Sequence, residues 1–122
     1  MGIFRRKPDA ASPLAPTGHA GDDELLAQIA QHSNLEAARH WVHYVYVAHE
    51  DAARRAAEQV TAGGWDIQRV DASAAGGPEW VVIAEQHGAV TTPDAVRTAR
   101  QFFESVAAAH PGGEYDGWEA SL

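Results

Sequence analysis

"RHWVHYVYVA", Arg39 to Ala48, is the stretch on which the fold turns. Aromatic and β-branched side chains fill it, and these favour a pleated, packed surface over a helix. Two alternating sets run along it: Trp41, His43, Val45 and Val47, and His40, Val42, Tyr44 and Tyr46. Both hold large residues, so the strand reads as well buried. The first set stays apolar up to the start of the next element, which assigns it to a helix-covered core. Tyr44 and Tyr46 then line the opposite face.

Downstream, "HEDAARRAAEQVTAGG" predicts a helix over His49–Ala62, with Ala53, Ala56, Ala57 and Val60 on one stripe and Gly63-Gly64 as the stop. "WDIQRVDAS", from Trp65, is a more polar strand suited to a sheet edge. "AAGGP" is a turn. "EWVVIAEQH", Glu79 to His87, is a second buried strand. Another helix follows, with Thr91 or Thr92 as cap, Pro93 in the first turn, and Val96, Ala99, Phe103, Val106 and Ala107 facing inward. Pro111, Gly112 and Gly113 end it, and "EYDGWEA" closes the chain as a strand. Strict alternation there puts Tyr115 and Trp118 on opposite faces, unless a bulge at Gly117 shifts the register.

Upstream, Asp22 or Asp23 is expected to cap a short helix, "DDELLAQIAQH", with Leu25, Leu26 and Ile29 on one face. About three turns are too few to stand alone, so it must dock. Residues 1–20 hold Pro8, Pro13 and Pro16 without periodicity and read as a disordered tail; residues 21–122 form the domain. After the first helix the order is βαββαβ, the split-βαβ or ferredoxin-like α+β sandwich: a four-stranded antiparallel sheet with two helices on one face, plus an extra N-terminal helix. The two apolar strands, first and third, take its centre; the polar ones are its edges.

Composition bounds the function. The 122 residues suit one domain, and 45% hydrophobic content supplies a modest core. No cysteine is present, which removes disulfides, thiol chemistry and cysteine metal sites. No apolar run approaches the roughly 20 residues of a membrane span. The first 18 residues lack a secretory signal's apolar middle, and Arg6 stands where myristoylation needs Ser or Thr, so the expected compartment is the cytoplasm. Residues 1–20 carry a net +2 and the remainder a net −10, within a formal −8 overall. A body of that sign repels phosphate backbones and points away from direct nucleic-acid binding. A basic or mixed-charge protein partner fits it better.

No catalytic constellation is visible. There is no HExxH, no GxSxG and no glycine-rich loop opening a helix. His40 and His43, three apart on a strand, point to opposite faces and cannot chelate together. The expectation is therefore no enzyme, no cofactor and no metal.

The segment from about Asp22 to the end resembles the RraB family, regulators of ribonuclease E activity. "HYVYVAHEDAA", "GGWDI", "EWVVIAE" and above all "GGEYDGWEA" carry the resemblance, and Tyr115–Trp118 is its most specific part. The resemblance implies a ferredoxin-like fold. It also implies a small acidic, non-enzymatic protein that binds ribonuclease E at its non-catalytic scaffold region and dampens RNA cleavage. Long acidic terminal extensions of known members are replaced here by a short basic, Pro-rich tail.

The candidate partner-binding residues are Tyr44, Tyr46, Tyr115, Asp116 and Glu119. Trp118 is expected to be buried with its N–H paired, and Asp116 and Glu119 to be exposed. The face of Tyr44 and Tyr46 has three readings: core closed by the N-terminal helix, a recognition surface of aromatics rimmed by acids, or the face of a homodimer. An alternative from another class is a small-ligand or effector-binding module, its pocket between the open sheet face and the N-terminal helix.

Overall fold

A computed structural model of the chain describes residues 16–122. Most of the segment read as a disordered tail, residues 1–15, lies outside the described residues. Seven elements follow: α1 Ala20–His32, β1 Arg39–Val47, α2 Glu50–Ala62, β2 Asp66–Ala72, β3 Trp80–Ala89, α3 Pro93–Ala108 and β4 Glu114–Ala120. The strands form one antiparallel four-stranded open sheet in the order β2-β3-β1-β4. The two apolar strands are central and the two polar ones are edges, as their compositions require.

All three helices share one layer. Trp41, Val45 and Val47 of β1 pack with Val82 of β3, Val60 of α2 and Phe103 of α3. Leu26 and Ile29 of α1 join the same core, so α1 does not close the opposite face. That corrects the reading in which the N-terminal helix covers the tyrosines. Val42, Val81 and Ile83 form a separate small cluster on the bare face, with Tyr44 and Tyr46 packed against it.

The caps differ in part from expectation. α1 starts three to four residues earlier than expected, because His19 caps it in place of Asp22 or Asp23: its Nδ1 accepts from the Asp22 N–H at 3.1 Å. Asp22 and Asp23 sit in the first turn, where negative charge meets the helix dipole favourably. Asp23 accepts from Thr17, through N–H at 2.8 Å and Oγ1 at 2.7 Å. His49 caps α2 and Thr92 caps α3, with Pro93 behind it. At the exit from α3 a Cβ on Gly113 would stand 1.8 Å from the Ala107 carbonyl oxygen, so only glycine fits between helix end and edge strand.

The closing strand breaks alternation. Trp118 pairs with His43 and Tyr115 pairs with Val45, so two residues of β4, Asp116 and Gly117, oppose Tyr44 alone. Gly117 takes φ +97°, a conformation open to glycine without strain. The bulge puts Tyr115 and Trp118 on the same, helix-covered face.

Candidate partner-binding face

The helix-covered face holds a polar lock. Trp118 is buried at 8% exposure, and its indole N–H donates to Asp22 Oδ1 at 2.9 Å. Arg100 of α3 donates to both oxygens of the same carboxylate, at 2.6 and 3.0 Å. Its guanidinium lies 4.8 Å above the Tyr115 ring and also pairs with Glu104 at 2.9 Å. One carboxylate thus ties α1 to α3 and β4. Burial pushes the Asp22 carboxyl up, but the Arg100 and Trp118 hydrogen bonds outweigh it and hold the group below its ordinary value. The hydrogen bond to Asp22 raises Arg100 in turn.

Tyr115 belongs to this layer. Its hydroxyl meets His43 Nδ1 at 2.7 Å, and its ring stacks on Phe103. Burial raises its phenol well above the usual range. His43 is fully buried, stacked on Phe103 with ring centroids 4.3 Å apart. Burial drives its pKa down to about 3, so it stays neutral. Phe103, His43 and Tyr115 form a stack through which β1, α3 and β4 meet. Here the groups with strongly shifted pKa values are locked against each other inside the helical layer.

The bare face has another character. Val42, Val81 and Ile83 are each 6% exposed or less although no helix among the described residues covers them; Tyr44 and Tyr46 lean over them. Tyr44 donates to Glu119 Oε1 at 3.1 Å, and burial together with that bond raises its phenol. Cross-strand register puts Asp66 and Asp71 of β2, Glu85 of β3, and Glu114 and Glu119 of β4 on this face, with Arg69 among them. Exposed Asp116 stands at the bulge and lines a groove of about 280 Å³ with Tyr46, Glu79 and Glu114. The result is an apolar strip under two tyrosines, fenced by carboxylates.

Of the sequence-predicted residues, Tyr44, Tyr46 and Glu119 come together on the bare face. Asp116 lies at its edge, and Tyr115 lies on the other side of the sheet. The Asp22–Arg100–Trp118 lock escaped the sequence reading, although a buried indole N–H announces that some acceptor must reach it. A cluster of His40, Glu85 and His87 on the bare face was missed as well: it joins two strands, and a scan along one strand does not find it.

Helices packed on one side of an open antiparallel sheet define a mixed α/β domain, with the other sheet face free of helices among the described residues. No described helix is long and apolar enough to cross a membrane. The family described as Regulator of ribonuclease activity B, RraB, matches residues 19–120, and the chain belongs to it. The family is one of regulators of ribonuclease activity. No curated protein matches the sequence.

Proposed function

We propose that this chain binds a ribonuclease E-type enzyme, at its non-catalytic scaffold region, through the bare sheet face, and that binding lowers RNA cleavage. On this reading it acts in the cytoplasm, catalyses nothing and does not touch RNA. The strand order and the helical layer accord with the ferredoxin-like arrangement, which leaves one whole sheet face for recognition.

The observation that carries the reading is the strip of Val42, Val81 and Ile83 beneath Tyr44 and Tyr46, with carboxylates around it. Tyrosines supply large, rigid contact area, and an acidic rim selects a partner segment with Arg or Lys around an apolar anchor. The test is calorimetry of the purified chain with the scaffold region of an E-type ribonuclease. Tyr44→Ala/Tyr46→Ala should weaken the complex at least ten-fold, about 1.4 kcal/mol, while the chain stays folded. Unchanged affinity in that folded variant would exclude this face. Self-association through the face is checked by sedimentation of the chain alone, which should give a monomer.

A second reading, a small-ligand module, draws on a different place. An open groove of about 450 Å³ lies between the end of α2 and α3, lined by Trp41, Trp65, Ala99 and Phe102. The buried Trp41 Nε1 has no partner among the described residues. The pocket expected between bare face and N-terminal helix is not formed, since α1 lies in the helical layer.

A further inference from the structure

We propose that His40, Glu85 and His87 form a binding site for one divalent transition-metal ion of the zinc, nickel and copper class. The two central strands build it. Glu85 of β3 stands opposite Val42 of β1, His40 lies two positions before Val42, and His87 two after Glu85. Strand alternation therefore puts all three side chains on the bare face.

The pairing of Val42 with Glu85 and Trp41 with Gln86, continued without a break, sets His87 directly opposite His40. The register shift between Arg39 and Trp41 sets His87 and Gly88 against His40 alone, with Gly88 at φ +69°. The two imidazoles stack, centroids 4.3 Å apart and planes 5° from parallel. His40 Nε2 lies 2.7 Å and His87 Nε2 3.5 Å from the same oxygen, Glu85 Oε1. All three donor atoms fall within 4.8 Å of one another.

Those spacings suit an ion. With metal–nitrogen and metal–oxygen bonds near 2.0–2.2 Å, two ligands of a tetrahedral centre stand about 3.3 Å apart. A small opening of the His40–Glu85 hydrogen bond creates the position. Gln68 of β2 donates to Glu85 Oε1 at 3.0 Å and orients the carboxylate, as groups behind metal ligands commonly do. Two imidazoles and a carboxylate without thiolate favour Zn²⁺, Ni²⁺ or Cu²⁺ over Mg²⁺ or Ca²⁺. The acidic rim adds a field that gathers cations. Because the His87 side chain is 69% exposed, a fourth position opens to water or to a donor from another molecule. The site rests on its own side chains and is independent of the ribonuclease reading.

The test is titration of the purified full chain with nickel or zinc chloride alone, near neutral pH, by calorimetry and by NMR of the histidine ring protons. One ion per chain should bind, with the shifts confined to the rings of His40 and His87. His40→Ala and His87→Ala should each weaken binding by about ten-fold or more. His32→Ala, an exposed histidine at the end of α1, should leave it unchanged. The highly exposed His87 makes its variant safe for folding, so a thermal melt close to the parent's accompanies the comparison. No saturable binding, binding that neither variant weakens, or equal loss with His32→Ala would each overturn the site.

Discussion

His43 sets how the molecule responds to acid. Its ring is fully buried among Phe103, Trp41 and Trp65, and Tyr115 occupies its Nδ1. Burial lowers its pKa from 6.5 to about 3; Asp22 pulls it slightly up and Arg100 slightly down. Between those values the unfolded chain holds a proton that the folded chain refuses. The stabilisation is therefore complete above the unfolded pKa of 6.5 and is lost as pH falls toward about 3. The loss is at most about 1.4 kcal/mol per pH unit. Thermal melts from pH 7 down to 4.5 should show a steady fall, flattened in His43→Phe, whose ring keeps the stack on Phe103. An equal slope in that variant would assign the acid response elsewhere. Asp22, held below its ordinary 3.8, keeps its charge through this window and loses its contribution only at lower pH. Trp118, its neutral partner, tests the lock. Trp118→Ala should cost about 3–5 kcal/mol in chemical denaturation, within the range for large core truncations. Asp116→Ala, on the same strand but exposed, should stay within about 0.5 kcal/mol of the parent. The reverse ranking would make the strip a surface device and Asp116 a structural element.

The elements show what alternation and helical period can reveal and where they stop. The apolar character of Arg39–Val47 and Trp80–Ala89 was enough to make both central, because a polar side chain buried between two neighbours is costly. The inward stripe of α3 was readable for the same reason: Val96, Ala99, Phe103, Val106 and Ala107 recur at helical spacing and are all buried. Sites joined across elements were not readable. Asp22 and Trp118 are 96 residues apart, and no local pattern links them. The bulge at Gly117 moved a side chain to where alternation alone does not place it. Gly117 brought Tyr115 under the helices. A glycine within a strand signals such a break but leaves its direction to the partner strand. α1 carried a similar ambiguity: an apolar stripe says that a helix docks, and the sheet face it chooses follows from the Asp22 contacts to Arg100 and Trp118. Its start lies in Thr17 and His19, within the segment that composition assigned to the tail. A chain beginning at Pro16 should therefore melt like the full chain. One beginning at Gly21 loses the His19 cap and the Thr17–Asp23 bonds, and should lose about 1 kcal/mol of stability. Equal melting of the two would mean that α1 needs no cap beyond its docking.

At the scale of the whole molecule, charge and shape point the same way. The sequence outside residues 1–20 carries a net −10, and the bare sheet face keeps five carboxylates in cross-strand register around two tyrosines. Such a surface repels a phosphate backbone at every salt concentration, most strongly when screening is weak. Single-stranded RNA at low salt should therefore leave the chain unshifted in a gel, and tight binding that persists after removal of residues 1–20 would sink the protein-partner reading. The same field should act in the opposite direction on a basic protein segment. Long-range attraction raises the rate of encounter more than it slows release, and salt removes it. On the proposed reading, association with the ribonuclease scaffold should accordingly slow by about ten-fold or more between low and physiological salt, with dissociation changing far less. Asp116→Lys with Glu119→Lys reverses two rim charges at exposed positions and removes only the exposed Tyr44–Glu119 hydrogen bond. It should abolish most of that salt dependence by stopped-flow measurement while leaving the melt in place. If the association rate of the variant keeps its full dependence on salt, the acids around Tyr44 and Tyr46 do not steer the partner, and the docking surface lies on another side of the domain.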